Sequence, residues 1–294
     1  MDRSEHAQGF ALLEEAVTVL FCLVDDGYQN INPNAQRYEN LKKLSDSEVI
    51  TLALFQQLRG MESQRSFLRD ASRFFSHLFP GVVGLAPSSL HRRLRKLRPF
   101  LELLRQDVVA ELVGDPETLI VDSTLLSMLH PRQVGQSAGF AGAAWVRWGS
   151  FSVYGVKLHL LCATNRVPVC YELTAANVAE VRLTGELIDG ANLGDGVARK
   201  LLGDLAYRSE ALEETLAEAG VLLVTERSRQ GGKRQQVEIV LASLKRIFGI
   251  GQTMATTLVG LATRIAAKIA AYTYAFLDNR RLGRPQGRIK DLWA

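Results

Sequence analysis

Two hydrophobic rhythms divide this chain. Up to about residue 110, apolar positions recur every three or four residues, the spacing of helices with one buried face. The segment LSDSEVITLALFQQLRG opens on Ser45, and Glu48 three residues later predicts a capping box. In APSSLHRRLRKLRPFLELLRQDVVAEL, which starts after Pro87 with Ser88 or Ser89 as cap, Leu90, Leu94, Leu97, Leu101 and Leu104 form a buried stripe. Near Asp115 the rhythm changes. ETLIVDSTLLSML is apolar and β-branched and reads as a buried strand. A Gly/Ala-rich loop, GQSAGFAGAAWVRWGS, follows, and then SVYGVKLHLLCATN and RVPVCYELT form a hairpin. A helix over about 178–189, a strand in ARKLLGDLAY and a helix in SEALEETLAEAG closed by Gly220 come next. The strand VLLVTE, the loop RSRQGGKR, the helix RQQVEIVLASLKRIFG and a last helix over about 253–278 complete the order. There is no internal repeat and no low-complexity tract.

Three strands joined in sequence, followed by alternating helices and strands, predict one mixed sheet flanked by helices. That order matches an RNase-H-like α/β fold preceded by an α-helical N-terminal domain. A chain of 294 residues, 47% of them hydrophobic, is long enough for such a core in one large or two smaller domains.

Composition narrows the setting. The charged start MDRSEHAQGF does not resemble a signal peptide. The most apolar stretch, Met254 to Leu277, is interrupted by Arg264 and Lys268 and reads as a packed helix rather than a membrane span. Cys22, Cys162 and Cys170 lie in apolar contexts without C-x-x-C spacing, which argues against a zinc site or a disulfide framework and fits a reducing cytoplasm. Net charge is +4, but it is unevenly spread: zero over 1–114, −5 over 115–225 and +9 over 226–294. A basic end after an acidic middle suits a protein that grips phosphates beside a carboxylate-rich site, and equally a solvated basic tail. Arg92, Arg93, Arg95, Lys96 and Arg98, with no acid between them, suit a helix lying on DNA or a solvated basic face.

Three acids stand out. Asp122 sits inside LIVDSTLL, and a carboxylate in a buried strand costs several kcal/mol unless it is paired or bound to a cation. Asp204 repeats the anomaly at the end of KLLGDLAY. Two acids at the ends of two strands of one sheet can converge, although each can also simply cap a turn beyond its strand. Glu238 shares a helix face with Arg234 and Lys245: at about 100° per residue the three fall at roughly 40°, 0° and 20°. Val237, Leu241, Leu244 and Phe248 supply the adjacent apolar stripe. A plain surface ion pair between Arg234 and Glu238 accounts for that spacing as well. Taken together, three carboxylates suit two Mg²⁺ ions about 3.5–4 Å apart, which activate the attacking oxygen and stabilise the leaving oxygen in phosphoryl transfer. Nearby bases would hold DNA phosphates.

VDST, GDLAYRS and RQQVEIVLASLK resemble the three catalytic blocks of bacterial insertion-sequence transposases with a DDE triad. The third block in many of these reads Tyr-x2-Arg-x3-Glu-x6-Lys, and Arg234, Glu238 and Lys245 fit it; the Tyr position is Gly231. Where the second block often reads Asp-Lys-Gly-Tyr, this chain has Asp204, Leu205, Ala206 and Tyr207. YGVKLHLLCAT with ELTAANVAE is similar to the family's strand pair, with Glu180 where Asp is more usual. The resemblance implies binding of terminal inverted repeats, metal-dependent strand cleavage and strand transfer. Asp122, Asp204 and Glu238 would be catalytic ligands of two Mg²⁺ ions, with Mn²⁺ able to substitute. Arg234, Lys245, Tyr207, Lys157, His159, Arg92, Arg93, Arg95 and Lys96 would be the DNA contacts, and Trp145 and Trp148 in the glycine-rich loop would stack on a flipped base or pack on the core. The implied partner is double-stranded DNA, as transposon ends and target, bound by a homodimer at a bacterial nucleoid. Residues 1–112 would be a helical end-binding domain and 113–294 the catalytic domain with a basic C-terminal helix and tail. Two alternatives keep the same fold: a decayed or domesticated DNA-binding relative, and an RNase-H-like nuclease.

Overall fold

The capping box is present as expected. In the computed structural model the Ser45 hydroxyl accepts from the Glu48 amide at 3.0 Å, and the Glu48 carboxylate accepts from the Ser45 amide at 2.5 Å. The structure describes residues 3–34, 42–129, 134, 140–192, 199–225, 232–253 and 255–290. Four helices come first: α1 (Arg3–Ile31), α2 (Asp46–Leu58), α3 (Gln64–Phe74) and α4 (Pro87–Val113). The leucine stripe of α4 is buried at all five positions. The helix starts two residues earlier than a Ser88 cap, and three earlier than a Ser89 cap, would allow. Pro87 is its first residue, where a missing N–H costs nothing and the fixed φ favours the helix.

The sheet strands are β1 (Thr118–Leu129), β2 (Ala144–Trp148), β3 (Phe151–Ala163), β4 (Pro168–Ala175), β5 (Arg199–Gly203) and β6 (Val221–Thr225). β3 pairs antiparallel with β1 on one edge, and with β4 and β2 end to end on the other; β1, β5 and β6 run parallel. The five-stranded core order β4-β3-β1-β5-β6 is the expected RNase-H-like mixed sheet. α5 (Thr184–Gly190) and α6 (Glu210–Glu218) connect the later strands, and α7 (Gln235–Arg246) and α8 (Leu258–Arg281) follow. α5 packs against β3 and β4, with Gly190 close to the Cys170 sulfur, while α7 packs against β1 and β3.

β2 replaces part of the expected glycine-rich loop. A Gly149-Ser150 connection joins β2 to β3, with Gly149 at φ +61°, a backbone conformation that a hairpin turn needs and glycine supplies cheaply. The helix expected over 178–189 is a short 3-10 turn, Glu180–Leu183, running into α5. Among the described residues no helix is long and apolar enough to cross a membrane.

The chain packs as two compact units, and they do not divide at residue 112. One holds Met1–Val108, Ile247–Gly249 and Thr263–Ala294; the other holds Val109–Arg246 and Ile250–Ala262. Most of α8, expected with the catalytic domain, therefore belongs to the helical unit. Its Ile265, Ile269, Tyr272 and Phe276 are buried there, and Tyr272 meets Phe248 edge-on at 6.0 Å. Lys268 is 2% exposed and donates to Glu62 at 2.7 Å. That base secures the helical core and does not face a phosphate.

Candidate active site

Register places the two aspartates together. β1 and β5 pair Leu119 with Leu201 and Ile120 with Leu202. Continued by two residues, the same offset of 82 sets Asp122, inside β1, beside Asp204, just past the carboxyl end of the parallel neighbour β5. Ligand sites of open α/β sheets form at such ends. Asp204 itself lies just past β5 in extended conformation. Its Oδ1 accepts from the Ala206 amide at 2.8 Å and caps a 3-10 turn over Leu205–Tyr207.

Electrostatics bring in the third acid. Burial pushes the Asp122 carboxyl up to about 6; the Ser123 amide and Arg234 oppose the shift, and Asp204 and Glu238 add to it. Asp122 thus feels both other acids and one guanidinium. Arg234 lies in the turn before α7, 3.6 Å from Glu238 in the first turn of that helix. The α7 start is tied to the β3–β4 turn by Arg166 Nε, which donates to Gln236 Oε1 at 2.6 Å. Val237, Leu241 and Leu244 are buried, and Lys245 is exposed about two turns beyond Glu238.

Each acid therefore has a local partner as well as the shared neighbourhood. Asp122 Oδ1 accepts from the Ser123 amide at 2.8 Å, Asp204 caps its turn and Glu238 pairs with Arg234. Among the described residues no three His, Cys, Asp or Glu side chains stand at ligating distance from a common point. The donor set nevertheless fits a hard divalent cation, being all carboxylate oxygen, with Asp204 and Glu238 both acting on the Asp122 carboxyl.

Several expected DNA contacts are placed differently. His159, expected as a DNA contact, is fully buried, and its Nε2 lies 2.8 Å from the Thr174 hydroxyl. Burial and Lys157 push the imidazole down to about 4, against Glu180, so at neutral pH it carries no charge for a phosphate. Lys157 donates to the Val178 carbonyl at 2.8 Å and to Glu180 Oε1 at 2.7 Å. Both side chains share a strand face that α5 covers, which alternation within β3 alone does not reveal. Tyr207 is 1% exposed, with its ring against Gly203. Burial, then the charges of Asp122, Glu180 and Asp204, push its hydroxyl far above the ordinary range; that hydroxyl lies beside Ser123 without forming a hydrogen bond of normal geometry. Arg93 donates to the Leu44 carbonyl at 2.7 Å and to Asp46 at 2.6 Å, bracing α2 against α4, whereas Arg92, Arg95 and Lys96 are exposed. Trp145 is half-exposed on β2 and packs on Tyr154 at 5.4 Å; the Trp148 side chain and Gly231 lie outside the described residues. The sequence reading missed Ser123, whose amide and hydroxyl both serve the site. Its signal was position alone, next to an acid in a buried strand.

Solved structures of similar arrangement include a piggyBac transposase synaptic complex with hairpin DNA, at 13% identity over 98% of this chain and 79% of that one, TM-score 0.39. A Mos1 transposase paired-end complex with left transposon end is similar at 12% identity over 80% of this chain and 78% of the other, TM-score 0.26. No curated protein matches the sequence. The family model described as Transposase DDE domain matches residues 113–274, more than half of the chain and both strands and the helix that carry the three acids, and the chain belongs to that family.

Proposed function

We propose that this transposase cuts the terminal inverted repeats of a bacterial insertion sequence and joins the freed 3′-hydroxyl to target DNA, using Asp122, Asp204 and Glu238 as ligands of two Mg²⁺ ions. The observation that carries the reading is the shared field: Asp122 is shifted by both other acids, which come from β5 and α7. Two such ions, or Mn²⁺ in their place, would supply activation of the attacking oxygen and charge stabilisation of the leaving oxygen. The residues do the rest. Asp122 lies inside β1 and Asp204 just past the end of the neighbouring β5, so the strand register fixes their spacing. Glu238 reaches the same region from the first turn of α7. Arg234, between Glu238 and Asp122 in its influence, is set to bind a phosphate once Glu238 turns to a cation. Lys245 and the exposed Arg92, Arg95 and Lys96 offer further phosphate contacts. A homodimer on nucleoid DNA follows from the need to hold two ends at once.

The test is cleavage and joining of labelled DNA carrying the element's ends, in Mg²⁺ or chelator. Metal-dependent 3′ nicking and joined products, both lost in Asp122→Asn and Asp204→Asn, are expected. Hydrolysis without joining would instead identify a nuclease. The local partners of the three acids favour a second reading, a DNA-binding relative without catalysis. Tight end binding with no nicking in any metal would establish it.

A further inference from the structure

Behind the acids, on the sheet face covered by α5, lies a polar cluster that the proposed reaction does not use. Glu180 enters from the 3-10 turn after β4, and its Oε1 accepts from Lys157 of β3 at 2.7 Å and from the Ser123 hydroxyl of β1 at 3.1 Å. Lys157 is 9% exposed and also donates to the Val178 carbonyl, so the pair is shielded and anchored on both sides. Burial alone would raise the Glu180 carboxyl, but the hydrogen bond and charge of Lys157 hold it below its ordinary range. Ser123 is thus gripped by its hydroxyl from behind while its amide donates to Asp122 Oδ1 at 2.8 Å in front. Tyr207, from the turn that Asp204 caps, fills the space beside Ser123 and Glu180 with its ring on Gly203.

We infer that Glu180, charged and held by Lys157, is a positioning residue for Asp122, acting through Ser123. A largely shielded ion pair between β3 and the turn after β4 is an expensive way to hold that turn to the sheet, because apolar residues of similar size do it at least as well. What the pair provides that apolar packing does not is a directional acceptor for one hydroxyl, and that hydroxyl belongs to the residue whose amide orients the first carboxylate. Partners that orient a metal ligand in this way typically change metal affinity about 10–100-fold when removed. The inference rests on Asp122 being a metal ligand.

Ser123→Ala is the sharpest variant, because it cuts only the link to β1 and leaves the Lys157–Glu180 pair and the Ser123 amide intact. Glu180→Gln, which keeps the shape and weakens the grip on Lys157, is the companion. Free Mn²⁺ measured by electron paramagnetic resonance during titration of each protein gives metal affinity without any catalytic step. Thermal unfolding in chelator reports folding separately. Ser123→Ala is expected to weaken Mn²⁺ binding about tenfold at unchanged melting temperature. Its Mg²⁺ requirement for nicking should rise in parallel, and excess Mn²⁺ should restore the rate. Wild-type Mn²⁺ affinity in Ser123→Ala would overturn the positioning role. Asp122→Asn separates the two claims. If it loses Mn²⁺ while Ser123→Ala does not, only the positioning inference fails; if Asp122→Asn binds Mn²⁺ as wild type does, the metal site itself is wrong.

Discussion

Two aspartates, one in each compact unit, the first half-buried and the second buried, carry raised pKa values for different reasons. Asp122 in β1 is pushed up to about 6 by burial and by two neighbouring acids, and has an amide bond and a guanidinium to offset them. Asp278 near the end of α8 is 4% exposed and pushed up to about 7 by burial, with only Arg281 opposing. Among the described residues neither of its carboxylate oxygens has a hydrogen-bond partner, and it lines a cavity of about 310 Å³ whose wall is part apolar (Leu12, Ala16, Val19, Leu282) and part charged (Glu15, Arg281, Arg284). A perturbed, buried carboxyl is thus not by itself the mark of a catalytic centre. What differs is that at Asp122 two further carboxylates add to the shift, whereas Asp278 is raised by burial without a contributing acid, although Glu15 lines the same cavity.

Substitution should separate the two most strongly in activity. Asp122→Asn, Asp204→Asn or Glu238→Gln is expected to lower strand cleavage about a thousandfold or more, roughly 4 kcal/mol of transition-state stabilisation. Asp278→Asn should leave the cleavage rate within about twofold in the same assay. Stability should respond in the opposite sense. Both carboxyls have raised pKa values in the folded state, so ionising them disfavours folding, and stability falls as pH rises from about 4 towards 6 for Asp122 or 7 for Asp278. Asp278→Asn should therefore stabilise the protein by on the order of 3 kcal/mol at pH 8, and Asp122→Asn by about 2–3 kcal/mol at pH 7 in chelator. Denaturant unfolding across pH 4–8 checks both. Mn²⁺ at a hundred times its dissociation constant should add about 2.7 kcal/mol to wild type and to Asp278→Asn but not to Asp122→Asn.

A milder contrast exists within the basic run of α4. Arg93→Ala strips Asp46 and the Leu44 carbonyl of a partner and should cost about 1–3 kcal/mol of stability. Arg92→Ala, Arg95→Ala and Lys96→Ala should leave stability within about 0.5 kcal/mol. Each should reduce the salt dependence of DNA binding by about one unit of slope. Unchanged slopes in all three would assign that face to solvent.

The sequence showed the sheet well because burial and register leave periodic traces. Asp122 and Asp204 were legible because a charge in an apolar strand is costly, and their spacing of 82 turned out to equal the β1–β5 register. The burial of Lys157 and His159 was not legible, because alternation along β3 gives a shared face but not what covers it. Here α5 and the Glu180 turn do. The β2 hairpin was hidden in a Gly/Ala-rich stretch, although Trp145, Val146 and Arg147 before Gly149-Ser150 already carried the alternation and turn residues of a hairpin. Asp278 gave no signal, because a lone acid near a helix end among arginines looks like any solvated residue.

The most direct test of the central claim is a crystal of the protein soaked in Mn²⁺ and examined by anomalous scattering. The account predicts density about 2.1 Å from carboxylate oxygens of Asp122, Asp204 and Glu238, as two peaks about 3.5–4 Å apart when DNA is bound. No density at Asp122, or density at Asp278 alone, would contradict it.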